Sequence, residues 1–354
     1  GGGELDDVPG CWTPQAADAP APARGTSPLG ELPSHDYGLV DPERYFAAKG
    51  ARQLDYVTSQ GCRFRCSFCA DPAVFGRGWT GLPPERVVEE TTRLWRRFGF
   101  TDLGLQDETF FTSSARVLAI VDGWLRAGTR FSWYATLRAD QGRRLDEEAL
   151  RACRRSGLRR VVLGLESGHQ PTLDRIRKDI RLDDVWLTAR RLTEHGIGAA
   201  VGAIVGFPGE SRESVLDTLR AARELRAMSP DFEVNVFAYK PYPGNPLADE
   251  LAASGQPLPG SLEEWARFDY VGGHPELLEP DLRALVDGFR FYQRLGYGHR
   301  RRGLLRAAQK LARWRVERGL YGLPFERWLV SCLENSIAPL AGHRGPWRRC
   351  SSLK

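Results

Sequence analysis

From residue 51 onward the chain alternates two hydrophobic patterns. Short β-branched or apolar runs occur at LDYVTSQ (54–60), TDLGLQDETFF (101–111), FSWYATLRAD (131–140), RRVVLGLESG (159–168), IGAAVGAIVGFPGE (197–210) and FEVNVFAYKPYPG (232–244). Between them lie longer stretches with helical spacing: PPERVVEETTRLWRRFGF, SARVLAIVDGWLRAG, DEEALRACRRSG, DDVWLTARRLTEHG and SRESVLDTLRAARELRAM. The first of these opens on Pro, sets Val87, Leu94 and Phe98 near one face, and closes on Gly99. Strand-like runs alternating with helices predict parallel strands joined by crossover helices, an α/β fold. Continuous apolar runs such as VVLGL (161–165) predict strands buried on both faces.

The ends of the chain differ. Residues 1–50 are rich in Pro, Ala, Gly and Asp and lack periodicity, which reads as a linker or irregular arm. Residues 247–354 contain LEEWARFDYVGGHPELL, DLRALVDGFRFYQRLGYG and RGLLRAAQKLARWRVERG, read as a Trp-, Tyr- and Arg-rich helical extension. The middle, 51–246, is the core domain.

Composition narrows the class. The hydrophobic fraction of 42% is ordinary for a globular protein, and 354 residues suffice for one large domain with extensions. No apolar run approaches the ~20 residues of a membrane span, and no signal-peptide pattern opens the chain. Net charge is +5, and its densest basic stretch is HRRRGLLRAAQKLARWRVER (299–318). That stretch reads more readily as the solvated face of a helix than as a nucleic-acid contact. The chain opens on Gly1 and has a single Met, so a preceding segment is expected.

Three of the seven cysteines, Cys62, Cys66 and Cys69, stand at C-x3-C-x2-C spacing directly after the first strand. A loop can turn three such side chains onto one centre. Four-iron clusters usually take four Cys ligands, so three would leave one iron open. A structural zinc site wants four closed ligands, and no downstream pair supplies the rest. The other cysteines, Cys11, Cys153, Cys332 and Cys350, are scattered and outline no disulfide framework. A reducing, cytoplasmic compartment is expected.

This loop, with Phe68 before its last Cys, resembles the signature of the radical SAM enzymes. The resemblance implies a 4Fe-4S cluster on Cys62, Cys66 and Cys69 and S-adenosylmethionine (SAM) chelating the open iron. Reductive cleavage then gives a 5'-deoxyadenosyl radical that abstracts hydrogen from substrate. The fold it implies is a partial (β/α)6 TIM-type barrel with its site at the C-terminal strand ends, followed by the helical extension. In this reading Asp107 and Glu108 accept from the SAM ammonium and Arg138 binds its carboxylate. Glu166 and Ser167 of LESG face its polar groups, and Gly206 and Phe207 approach the adenosine. Tyr239 lies at the last strand end, beside Lys240 and Tyr242. Glu210 is expected to order its own loop or cap the next helix.

The resemblance is nearest to cobalamin-dependent radical SAM proteins, and residues 1–50 are similar to the connector that follows their cobalamin-binding domain. No such domain lies within this chain, so cobalamin is expected only if that domain precedes Gly1. The expected activity is methylation or other C–H functionalisation of a small-molecule or natural-product substrate. An electron donor such as flavodoxin or ferredoxin is the expected partner; nucleic acid is not. The alternative is a non-catalytic iron–sulfur module that binds RNA through its C-terminal basic helix.

Overall fold

The structure is a computed structural model describing residues 29–256, 258–267, 277–298 and 303–322. After two short 3-10 turns comes helix α1 (Pro42–Lys49), then strands β1 (Gln53–Tyr56) and β2 (Ser59–Gly61), α2 (Asp71–Phe75), β3 (Trp79–Gly81) and α3 (Pro84–Phe98). The units β4 (Asp102–Leu105)–α4 (Ser114–Ala127) and β5 (Ser132–Leu137)–α5 (Ala139–Arg144)–α6 (Glu147–Arg155) follow. Next come β6 (Leu158–Glu166), α7 (Gln170–Arg175), α8 (Leu182–Glu194), β7 (Gly198–Val205), α9 (Arg212–Met228) and β8 (Phe232–Ala238). The described chain ends with α10 (Pro246–Ala253), α11 (Leu262–Arg267), α12 (Pro280–Tyr297) and α13 (Leu304–Arg318).

Six strands form one parallel sheet in the order β1-β4-β5-β6-β7-β8, the open, partial barrel expected from the alternation. β2 and β3 form a separate antiparallel hairpin around the Cys loop, which the strand pattern did not predict. Sequence order equals spatial order because each crossover helix returns the chain to the next position in the sheet.

One expectation is corrected. The sheet is dry on one face only. Val161 and Leu163 are fully buried beneath the helices, yet Val162 between them is 39% exposed. Registered neighbours in a sheet share a face. The exposed face therefore carries Thr136, Val162 and Ala200 in one row, then Gly164, Gly202 and Asn235, then Ile204 and Phe237. Phe237 is 37% exposed, and a Cβ placed on Gly202 would meet nothing within 4 Å. Unlike the filled core of a closed eight-stranded barrel, this inner face opens onto a lumen.

Both sheet edges are covered, which removes a template for strand addition. On the β1 edge, Tyr37 Oη donates to the Asp55 carbonyl at 2.5 Å. On the β8 edge, Arg290 Nε of α12 donates to the Val236 carbonyl at 2.7 Å. Part of the expected irregular arm is thus ordered: α1 buries Phe46 and caps its N-terminus with Asp41. In the extension, α13 packs Ala308, Ala312 and Val316 against α12, a helical i, i+4 stripe. Arg313 lies 5.0 Å over the Tyr297 ring and Arg315 5.0 Å over Tyr292. Much of the basic stretch is therefore a packed helix whose arginines lie along aromatic surface; its residues 299–302 lie outside the described residues.

Candidate active site

The Cys loop spans the hairpin between β2 and β3. Gly61, just before Cys62, has φ 85°, and a Cβ there would lie 2.2 Å from the Gly78 carbonyl oxygen. Only glycine permits this close crossing. The loop is fixed from two sides: Ser67 N–H donates to the Ile176 carbonyl at 2.9 Å, and Leu247 N–H donates to the Ser67 carbonyl at 3.1 Å. Cys66 is buried; Cys62 and Cys69 are half-buried, and all three are free thiols. Burial pushes the Cys69 thiol up to about 12 and raises that of Cys62. Thiols so placed stay protonated alone and ionise outright on a bound metal.

Among the described residues, no three His, Cys, Asp or Glu side chains converge tightly enough to hold a single metal ion. Three thiols on one loop match the ligand count of a four-iron cluster with one iron left open, whereas a closed structural zinc site takes four ligands.

Arg138, at the end of β5, is buried against this loop. Its Nη1 lies 3.6 Å from Cys66 Sγ, its Nη2 donates to the Lys178 carbonyl at 2.7 Å, and Nε pairs with Asp140 at 3.0 Å. Its guanidinium carbon stands 3.4 Å from the Phe64 ring centroid. The arginine assigned above to a carboxylate is thus committed to the Cys loop.

Two further residues have different work from that expected. Asp107 is buried, and its carboxylate accepts from Thr58 N–H (2.7 Å), Thr58 Oγ1 (2.5 Å) and Ser59 Oγ (2.5 Å). It clamps the turn between β1 and β2 through both carboxylate oxygens. Ser167 is fully buried, 3.1 Å from Thr218 Oγ1, and accepts from His169 N–H at 3.2 Å. It fastens the end of β6 to α9. Glu108 accepts from Gly61 N–H at 3.0 Å through one oxygen, and burial raises its carboxyl.

Glu166 behaves otherwise. A register shift between Gly164 and Glu166 interrupts the β6–β7 pairing, and Glu166 takes φ 58°. Its Oε1 lies 2.6 Å from Lys178 Nζ; the two side chains are 12% and 8% exposed. Lys178 Nζ is also 5.9 Å from the Phe68 ring centroid, which sets the pair behind the Cys loop. Among the described residues the non-glycine residues with positive φ are Arg77, Glu166, Arg177 and Asp179. All flank this site, where strained backbone commonly concentrates. Sequence reasoning missed Lys178; its signal was the charged run RIRKDI (175–180), six residues beyond LESG.

An aromatic wall completes the mouth. Phe68, Phe207 and Tyr239 stack in series, with ring centroids 5.8 and 5.4 Å apart. Gly206, at φ 81°, donates to Glu210 Oε2 at 2.5 Å, and Phe207 N–H donates to the same oxygen at 3.2 Å. Glu210 also accepts from Ser214 Oγ at 2.6 Å, so it orders its loop and ties it to α9, as expected. The Tyr239 hydroxyl turns toward Asn245, at 3.5 Å.

Residues 56–222, from the end of β1 into α9, match the Radical SAM superfamily. That segment is a radical SAM domain. Among curated relatives, the chain is 30% identical over 244 residues to an uncharacterized methyltransferase of Pyrococcus horikoshii, covering 68% of this chain and 51% of the relative. It is 25% identical to the hopanoid C-3 methylase of Methylococcus capsulatus, covering 68% of this chain and 44% of that enzyme. The chain thus spans about half the length of these relatives. Its fold is that of the radical SAM methyltransferase TsrM from Kitasatospora setae, with a TM-score of 0.53 at 23% identity over 61% of this chain and 41% of that one. The cobalamin-dependent SAM radical enzyme OxsB superposes with a TM-score of 0.51 at 21% identity, over 66% of this chain and 33% of OxsB. No described helix is long and apolar enough to cross a membrane.

Proposed function

We propose that this chain holds a 4Fe-4S cluster on Cys62, Cys66 and Cys69 and uses SAM to functionalise a C–H bond of a small molecule, with methylation the favoured outcome. The observation that carries this is the set of three thiols on one fixed loop at the C-terminal mouth of the parallel sheet, with buried Arg138 against the middle thiol. When bound, the cluster supplies the electron that cleaves the SAM sulfonium and releases the 5'-deoxyadenosyl radical.

The chain's own residues bind and orient. Arg138 places a fixed positive charge beside Cys66 and braces the middle of the loop. Glu166 and Lys178 form a pair complementary to an α-amino acid: the carboxylate can accept from the SAM ammonium and the lysine can take its carboxylate. Their mutual ion pair holds both groups in place until those partners arrive. Phe68 and Phe207 keep water from the mouth, and Gly206 leaves room at the backbone beside them. Asp107 and Ser167 act by position, through the β1–β2 turn and the end of β6. The lumen below takes the substrate. Methylation is favoured because the curated relatives named above include methyl-transferring enzymes, and a cobalamin donor for it would be held by a domain outside this chain.

The test is anaerobic reconstitution with iron and sulfide, followed by dithionite and SAM. Formation of 5'-deoxyadenosine is expected; none, with cluster intact and SAM bound, overturns the proposal. The RNA-binding reading gains nothing from the structure, since Arg313 and Arg315 of α13 lie over Tyr297 and Tyr292 of α12.

A further inference from the structure

Glu210 is one end of a longer chain of hydrogen bonds. Its Oε2 takes the backbone N–H groups of Gly206 and Phe207, and its Oε1 takes the Ser214 hydroxyl at 2.6 Å. Ser214 is fully buried in the first turn of α9, with Oγ 2.8 Å from Thr172 Oγ1 of α7. Thr172 is buried too, and the same oxygen lies 3.0 Å from His169 Nδ1. His169 directly precedes α7, yet its ring caps no backbone N–H of that helix. Nδ1 is committed to Thr172 instead.

Counting protons gives this chain a direction. An ionised carboxylate only accepts, and a hydroxyl has one proton to give. Three donors on the Glu210 carboxylate favour its ionised form. Ser214 therefore gives its proton to Glu210, and Thr172 gives its own to Ser214. The link between Thr172 and His169 is then filled by a proton on Nδ1, and in the neutral ring Nε2 is left bare. The reverse order needs a proton on Glu210.

We propose that His169, Thr172 and Ser214 are positioning residues that hold the Gly206–Phe207 loop for SAM through this one-way chain, with His169 locked in its Nδ1–H form. The inference rests on the SAM reading above and extends it. His169 lies three residues beyond Glu166, so the chain ties the strand end that would meet the amino-acid part of SAM to the loop that would meet its adenosine. Hydrogen bonds in series polarise one another, so a break at Thr172 is felt at the Glu210 end.

The test uses the anaerobically reconstituted full chain, isotope-labelled at histidine and read by nitrogen NMR at about pH 8, above the ordinary histidine range. The chain has six histidines, and the His169 signals are those lost in His169→Gln. A proton on Nδ1 is expected, and Thr172→Val should free the ring so that Nε2–H appears. A proton on Nε2 alone in the wild type overturns the proposal. Thr172→Val should also speed amide exchange across residues 206–210 and weaken the calorimetric SAM Kd, each about tenfold, the order of one lost hydrogen bond. Thr172→Ser keeps the hydroxyl and should stay within about threefold of wild type on both measures. An unchanged Kd in Thr172→Val overturns the proposal. So does a Thr172→Ser variant as weak as Thr172→Val, since the loss would then follow packing and not the hydroxyl. Should Thr172→Val fail to fold, His169→Phe, at a half-buried position, decides by the same two measurements. Wild-type chain that shows the Nδ1 proton and exchange at 206–210 that quickens in Thr172→Val, yet binds no SAM, supports the chain and overturns the SAM reading, so the two failures are distinguishable.

Discussion

Lys178 and Glu166 hold opposite charges 2.6 Å apart at a nearly dry strand end. Removing one partner strands the other, which typically costs about 3–5 kcal/mol. Lys178→Met should lower the unfolding free energy by about that amount in equilibrium urea titrations. Glu166→Gln/Lys178→Met should recover most of the stability, since replacing both buried charges is often near neutral. SAM affinity, measured by calorimetry on the reconstituted protein, should fall about tenfold or more in both variants. Recovery of SAM binding along with stability would reduce the pair to a structural bridge. Cys66→Ala should abolish iron content and the visible absorbance after reconstitution; normal loading would remove Cys66 from the ligand set. The cysteines were legible in the sequence because ligands on one short loop declare themselves by spacing. Lys178 was not, because its partner lies twelve residues away, at a strand end turned by a bulge that no local pattern encodes.

At the scale of elements, the sheet's connections explain the site. The turn from β1 to β2 aims the Cys loop, and Asp107 from the end of β4 holds it through three donors. Asp107→Ala leaves those buried donors unmatched and should cost about 3 kcal/mol or more in urea unfolding, with lower iron retention. Asp107→Asn should cost less, because its carbonyl oxygen still accepts. Equal stability of Asp107→Ala and wild type would contradict the clamp. The Gln-Asp-Glu run at 106–108 drew attention to this strand end. Which carboxylate turned inward depended on where Thr58 and Ser59 lay in three dimensions. Likewise α1 went unread, since about two turns of helix inside a Pro-rich arm carry too few apolar positions to show a period.

For the whole molecule, the decisive feature is a sheet with one packed face and one open face. Gly202→Val, on the lumen side, should change stability by no more than about 0.5 kcal/mol in urea unfolding. Val201→Ala, one residue away and under the helices, should cost about 1–3 kcal/mol. A comparable penalty at Gly202 would mean that the lumen is filled. The sequence by itself determined the alternation of strand and helix, the order of the parallel sheet, and the trio of thiols. Those follow from local periodicity and from chain connectivity, which strongly restricts how successive βα units can join. Only the tertiary structure decided which face of the strands stayed wet. Runs such as VVLGL look identical whether a second layer covers them or not, and that depends on what the rest of the chain places above them. It also decided that Asp107 and Ser167 look inward while Glu166 meets Lys178, because a polar side chain finds its partner among whatever the fold brings within hydrogen-bond reach.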